Sequence, residues 1–341
     1  MSDAETAAPP VRPHPFAGYV RTIARGAQLS RPLDEDEAQA AMAMILAGEV
    51  EPVQIGALLG LLRYRKETPA ELAGFVRAAR DRIAAPQDAA VDLDWPSYAD
   101  RHRQNPYFAL AALLLADAGV RVAMHGIAGA GPATTPKALA ALGIGACASL
   151  DEAASRLDGR GFAYLPLSAF CPDLDRLFGL RPLLGVRTAV NTFARDLNPL
   201  GARCQIQGVF HPAYLPTHCE TARRLGLANA AIFKGGGGEA QRNPEKPCRI
   251  ATLREGAPGE EKWPAMLPKG ERHPWRDEPL DPARVAALWR GEWQAPGPVA
   301  AVVGSAAIAL RVLGRAATIE AAEAMARDLW AERDRARYGA A

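Results

Sequence analysis

The chain has 341 residues, 49% of them apolar and 6% aromatic, with 40 Lys/Arg against 38 Asp/Glu; that length can bury a large core in two lobes, and abundant alanine favours helix over an all-β design. No apolar run reaches the roughly 20 residues that cross a bilayer, and the acidic, Pro-rich start lacks a basic-then-apolar signal pattern. The cysteines Cys147, Cys171, Cys204, Cys219 and Cys248 are scattered and form no C-x-x-C, so neither a disulfide framework nor a zinc cluster is expected and a reduced cytoplasmic setting is.

Residues 1–15 read as a disordered leader. From Phe16 a helix turns Tyr19, Val20, Ile23 and Ala27 to one side until Ser30 and Pro32 end it. Leu33-Asp-Glu-Asp-Glu37 opens the next, with acids where the helix dipole favours them, and Met42, Ile45 and Leu46 give it an apolar stripe. Pro52 starts a third helix, Val53 to Leu62, apolar nearly all round and therefore expected to be covered on two sides. Thr68-Pro-Ala-Glu71 is a capping box that opens a fourth helix, running to Ile83. Together they predict a helical lobe over residues 16–85, joined by helices from about 173–195. Ala85-Pro86 marks the crossing into an α/β lobe, residues 86–341.

In that lobe Val91–Trp95, Val120–Met124, Gly161–Pro166, Ala230–Phe233 and Cys248–Leu253 read as strands. His125-Gly126 follows the second. A lone His at a strand end is more often a hydrogen-bonded structural residue than a catalyst. Ala128–Thr135 is a loop before a helix starting near Pro136. Lys234-Gly-Gly-Gly-Gly-Glu239 follows the fourth strand and reads as a cationic, open loop, without the Gly-x-x-x-x-Gly-Lys-Ser/Thr spacing of a phosphate loop. Residues 256–282 are Pro/Gly-rich, with Trp263 and Trp275 among cations. Such interleaving suits bases stacking over phosphates, or rings that pin a loop to the core. Residues 300–313 and 318–333 close the chain as helices.

Charge is unevenly placed. Residues 1–100 carry 10 Lys/Arg and 15 Asp/Glu, whereas residues 176–254 carry 12 and 4, which points to an anion-binding surface in the second segment.

The run Arg181-Pro-Leu-Leu-Gly-Val-Arg-Thr-Ala-Val-Asn191, with Asn198-Pro and Gln207-Gly-Val beyond it, resembles the anthranilate phosphoribosyltransferase family. Leu184, Val186 and Val190 look like packing positions in it. The four-helix order with its joints at Gly48–Pro52 and Leu62–Pro69 is similar to that family's N-terminal lobe. The resemblance implies a small helical lobe that makes a homodimer, plus a mixed-sheet α/β lobe of the nucleoside phosphorylase and phosphoribosyltransferase class. It also implies a cleft in which Arg181 matches the arginine at the anthranilate carboxylate, with His125, Gly126, Asn191 and Glu239 as further matched positions. Arg181 can instead cap the interlobe surface.

Two motifs of the family are missing. Where it places Gly-Thr-Gly-Gly-Asp around pyrophosphate, this chain reads Asp94-Trp-Pro-Ser-Tyr-Ala-Asp-Arg-His-Arg103. Where it holds magnesium with an acidic pair, Glu239 stands alone, too few oxygens for that ion. The pattern resembles a divergent bacterial branch whose members bind nucleic acid, DNA or RNA. The expectation is therefore a homodimeric nucleic-acid binder with no metal and no membrane partner, using Arg101, Arg103, Lys234, Arg242, Lys246 and Arg249 on phosphates. The alternative is an active glycosyl- or phosphoribosyltransferase on an unknown acceptor, with magnesium and phosphoribosyl pyrophosphate as its cofactors.

Overall fold

Capping boxes open the helices Glu35–Leu46, Pro52–Arg65 and Pro69–Arg80 of the helical lobe. We analysed a computed structural model that describes residues 13–26, 28–86, 88–99, 103–270 and 272–338; residues 1–12 of the expected leader, Ala27 and Arg101 lie outside them. Helices α1 (Ala17–Ala24), α2 (Glu35–Leu46), α3 (Pro52–Arg65) and α4 (Pro69–Arg80) follow in order. At the start of α2 the Glu37 amide donates to Asp34 Oδ1 at 2.8 Å and the Asp34 amide to Glu37 Oε2 at 3.0 Å. At α4 the Glu71 amide donates to Thr68 Oγ1 at 3.2 Å. The Glu71 carboxylate answers by accepting from the Thr68 amide at 2.9 Å, and it also takes the Leu33 amide at 3.0 Å and pairs with Arg65. One buried acid thus caps α4 and fixes the entry to α2. Gly74 lets those two helices touch, since a Cβ there would lie 2.2 Å from the Glu35 carbonyl.

Helix α3 differs from its expected burial. Leu58, Leu59 and Leu62 are buried, whereas Val53 is 78% and Tyr64 91% exposed. Two helices from later in the chain complete this lobe: Leu174 and Leu177 of the Pro172–Phe178 helix and Val190 and Phe193 of the Ala189–Phe193 helix share one core with Leu58, Leu72 and Phe75.

Seven strands form one sheet in the order β3-β2-β1-β4-β5-β6-β7: β1 Leu93–Ser97, β2 Val122–Gly126, β3 Phe162–Pro166, β4 Cys204–Val209, β5 Asn229–Lys234, β6 Cys248–Arg254 and β7 Ala257–Trp263. The first five are parallel; β6 and β7 add an antiparallel hairpin. Strand β7 lies within residues 256–282, which read as a Pro/Gly-rich segment without a strand, because its alternate residues are charged and exposed and its partner is the preceding strand. One face packs Leu93, Trp95, Met124, Ile206 and Phe233 against the Phe108–Asp117, Pro296–Val312 and Ile319–Glu332 helices. The other face meets the helical lobe and the Leu150–Arg160 helix. Among the described residues no helix is long and apolar enough to cross a membrane.

Candidate functional site

In parallel sheets a crevice forms beyond the carboxyl ends of the strands where the connection order reverses. Here that point lies between β1 and β4. The two strands pair only at Leu93–Cys204 and Asp94–Gln205, whereas β4 and β5 pair over six positions. The cause is local. Ser97 turns its carbonyl toward β2, where it accepts the Ile127 amide at 3.3 Å. Pro96 therefore faces β4 and has no N–H to give it. Past Asp94 the strands part.

Buried protein groups close the base of the parting. The strand expected to end at Trp95 runs on to Ser97, so the loop after β1 begins at Tyr98; Trp95 points into the core and stacks on Phe108 at 6.4 Å. Tyr98 is buried, stacked on Phe178 of the helical lobe at 5.9 Å. Glu239 spans the gap, its Oε1 accepting the Ala99 amide at 2.6 Å.

The glycine run after β5 is closed, which corrects its reading as an open loop. The amides of Gly235, Gly236, Gly238 and Glu239 donate to Val209, Gln241, Gly235 and Gly236 carbonyls at 2.8–3.2 Å. Glycine is required here for close approach: a Cβ on Gly208 would lie 2.0 Å from the Glu239 carbonyl carbon, and one on Gly235 1.6 Å from the Glu239 carbonyl oxygen. Arg195, itself buried, clamps the turn by donating to the Gly208 and Gly238 carbonyls at 2.9 and 2.8 Å.

Beneath the crevice runs a buried polar row that sequence reasoning missed. Alternation puts Asp94 (β1), His125 (β2), Gln205 and Gln207 (β4) on the sheet face that meets the helical lobe. Asp94 accepts Gln205 Nε2 at 2.6 Å and lies 3.2 Å from His125 Nε2. Gln207 Nε2 reaches Asp196 Oδ1 at 2.6 Å, and His218 Nδ1 lies 3.3 Å from the other Asp196 oxygen. Burial, with Asp94 nearby, pushes the Tyr98 phenol well above its ordinary value. The Asp94 carboxylate can only accept, so Nε2 carries its proton toward it, and in that tautomer Nδ1 is left to accept the Tyr98 O–H at 2.8 Å. His125 is fully buried with both nitrogens engaged within the row. The available signal was the pair Gln205 and Gln207, polar at alternate positions of a strand otherwise apolar.

The remaining expected residues separate. Gly126 is held by sterics, since a Cβ would lie 1.9 Å from the Ser97 carbonyl oxygen. Asn191 Oδ1 accepts the Thr188 amide at 3.2 Å, opening the Ala189–Phe193 helix; Arg181 starts the short Arg181–Leu184 helix, half-buried. Val190 packs as expected, but Val186 is 43% exposed.

Arg103, Lys234 and Lys246 are exposed. Arg249 is exposed too but paired with Glu260. Arg242 is a correction: it is fully buried, bonded to Glu323 at 2.8 Å and to the Pro264 carbonyl at 2.6 Å, and lies over Trp263. A guanidinium so enclosed meets no phosphate. Trp263 and Trp275 are also buried, so they pin their segment to the core and offer no stacking face. The cationic balance of residues 176–254 is largely met by acids from elsewhere, as in Arg176–Asp173, Arg203–Glu255 and Arg254–Glu261.

Among the described residues no three His, Cys, Asp or Glu side chains gather for a metal, Glu239 offers one carboxylate, and the amides of Gly235, Gly236 and Gly238 are already bonded to carbonyls of the fold. These residues do not fit a magnesium-bound pyrophosphate.

A small helical lobe over a mixed, mainly parallel sheet with its crevice at the strand-order reversal defines the phosphoribosyltransferase-like class. Comparison with known proteins agrees. The helical bundle domain of the glycosyl transferase family matches residues 18–83, and its a/b domain matches residues 108–332. The chain is 32% identical over 309 residues to the anthranilate phosphoribosyltransferase of Geobacillus kaustophilus, covering 87% of this chain and 89% of that protein. It is 29% identical over 248 residues to the uncharacterized protein YbiB of Escherichia coli, covering 71% and 77%. The crystal structure of the Thermus thermophilus anthranilate phosphoribosyltransferase superposes with a TM-score of 0.72 at 28% identity, over 88% of this chain and 92% of that one. The yeast enzyme in complex with PRPP and Mg gives 0.73 at 14% identity, a likeness of fold. The chain belongs to the glycosyl transferase family that includes the anthranilate phosphoribosyltransferases.

Proposed function

We propose that this chain is a glycosyl- or phosphoribosyltransferase-type protein that takes a ribosyl ligand at the β1/β4 crevice, with an acceptor other than anthranilate and a donor whose leaving group departs without magnesium. The observation that supports it is the crevice itself, placed by the Pro96 split at the strand-order reversal of a chain related over both lobes to named phosphoribosyltransferases. The closed glycine turn and the lone Glu239 argue against magnesium-bound pyrophosphate.

A second reading is nucleic-acid binding, favoured by Arg103, after β1, and Lys234, the last residue of β5, both exposed beside the glycine turn and without a carboxylate partner among the described residues. It rests on fewer cations than the sequence promised, because Arg242 is spent inside the fold. In either reading we propose a homodimer through the helical lobe, supported by the exposed Val53 and Tyr64 on α3.

Thermal unfolding distinguishes the readings. A ligand that binds only the folded state at 100 times its Kd stabilises it by about 2.7 kcal/mol. Ribose 1-phosphate or a nucleoside is expected to raise the transition temperature, with no added effect of magnesium. Anthranilate turnover with phosphoribosyl pyrophosphate should stay well below about 1 per second. If no ribosyl compound shifts unfolding while a long oligonucleotide binds with log affinity falling linearly in log salt, the second reading replaces the first. Light scattering should give twice the 36.3 kDa chain mass at micromolar concentration; a monomer sinks the dimer.

A further inference from the structure

A hollow of about 350 Å³ opens on the α/β lobe between the Phe108–Asp117 helix, the loop 142–145, the start of β3 and the last described residues. No residue of the crevice lines it. Its apolar lining comes from Leu113, Leu142, Ile144 and Phe162, and Tyr338 adds a ring from the chain's C-terminal end. Three guanidinium groups line it as well, Arg156, Arg160 and Arg337, and no carboxylate does.

Those three cations are not equivalent. Arg156 is paired with Glu152 and Arg337 with Asp117 at 2.9 Å. Tyr338 joins the second pair, its O–H donating to Asp117 Oδ1 at 2.7 Å, which holds the terminal segment in place as a wall. The Arg160 side chain has neither a hydrogen bond nor an ion pair among the described residues, and it is exposed. It is the one lining cation whose planar fork is wholly open to a guest, and that fork matches a carboxylate bidentately.

We propose that this hollow binds a small monocarboxylate with an apolar body. The chemistry follows from the two halves of the lining. A bare inorganic anion would satisfy Arg160 and leave the aliphatic and aromatic floor in water. A neutral apolar molecule would bury the floor and leave the guanidinium without a partner. A molecule with both parts uses both, and a site near the lower end of ligand-pocket volumes takes a guest of about ten to fifteen non-hydrogen atoms. Arg160 engages the carboxylate, the paired Arg156 and Arg337 add positive potential at the rim, and the body lies against Phe162 and Ile144.

The test is isothermal titration of the full chain with 2-naphthoate and, separately, with 2-naphthamide, which has the same body without the charge. The acid is expected to bind with a sub-millimolar Kd and the amide at least tenfold more weakly. Arg160→Ala should weaken the acid at least tenfold and leave the amide unchanged, and Arg160→Lys should recover part of the loss. Ile144→Trp, which fills the hollow, should abolish binding of the acid; far-UV circular dichroism and the unfolding midpoint report whether that variant is folded, and the surface Arg160 pair tests the site without touching the core. Equal affinity for acid and amide overturns the proposal. So does unchanged acid binding by Arg160→Ala, or no heat of binding at millimolar acid.

Discussion

Arg242→Ala is expected to lower the stability of the chain by about 3–5 kcal/mol, the range for removing one partner of a buried ion pair. Arg242 is fully buried and ties three parts together. Its amide accepts the role of donor to Ser305 Oγ at 2.9 Å, its Nη1 reaches Glu323 on the last helix, and its Nη2 holds the Pro264 carbonyl after β7. The side chain runs past Gly304, where a Cβ would lie 2.7 Å from Arg242 Cδ. Truncation leaves a cavity against Trp263 and an unpaired carbonyl. Glu323 keeps Arg327 at 2.9 Å, which offsets part of the loss. Arg242→Met, which refills the stem and removes the charge, should cost less, about 2 kcal/mol. Urea denaturation checks both: with a slope of about 3 kcal/mol per molar, the alanine variant should lose about 1 M or more in midpoint. A shift under about 0.3 M would show that this arginine does not hold the fold.

Asp94→Ala should be nearly as damaging. Its carboxylate takes protons from Gln205 Nε2 and His125 Nε2 in a setting closed to water, so alanine strands two buried donors at about 1–3 kcal/mol each. Part is recoverable, because a neutral imidazole can move its proton to Nδ1 and donate to the Tyr98 oxygen. Asp94→Asn exploits that shift: its carbonyl accepts from Gln205 and its amide donates to the freed Nε2. We expect about 3 kcal/mol for alanine and about 1 for asparagine, read as urea midpoints. Equal losses in the two variants would disprove the proton arrangement along the row.

Local chemistry made much of the fold legible. Thr68-Pro-Ala-Glu71 and Leu33–Glu37 open helices as expected, since capping needs only residues within one turn. The Arg181–Asn191 run and the order of helices carried the family, and that family is the one the chain belongs to. Strand β7 was not legible, because its signal is a partner rather than a period: Glu260 and Lys262 alternate outward on a hairpin whose register only pairing with β6 defines.

The candidate site divided along the same line. Missing motifs were visible from residue types alone: too few carboxylates for magnesium, too few glycines after β1 for pyrophosphate. Whether a cation is free depends on what the fold brings to it. Arg242 and Glu323 lie 81 residues apart and Arg203 and Glu255 lie 52 apart, so a count of charges along one segment overstated its surface. The glycine run after β5 looked open because composition reports freedom, whereas its amides are fixed by Val209 and Gln241. Sequence by itself determined the helices, the family and the loss of two motifs, all short-range matters of residue type and spacing. Tertiary structure alone decided that His125 is buried in a polar row and that the strands part at Pro96. It also decided which arginines face water, because burial and pairing are set by residues distant in the chain.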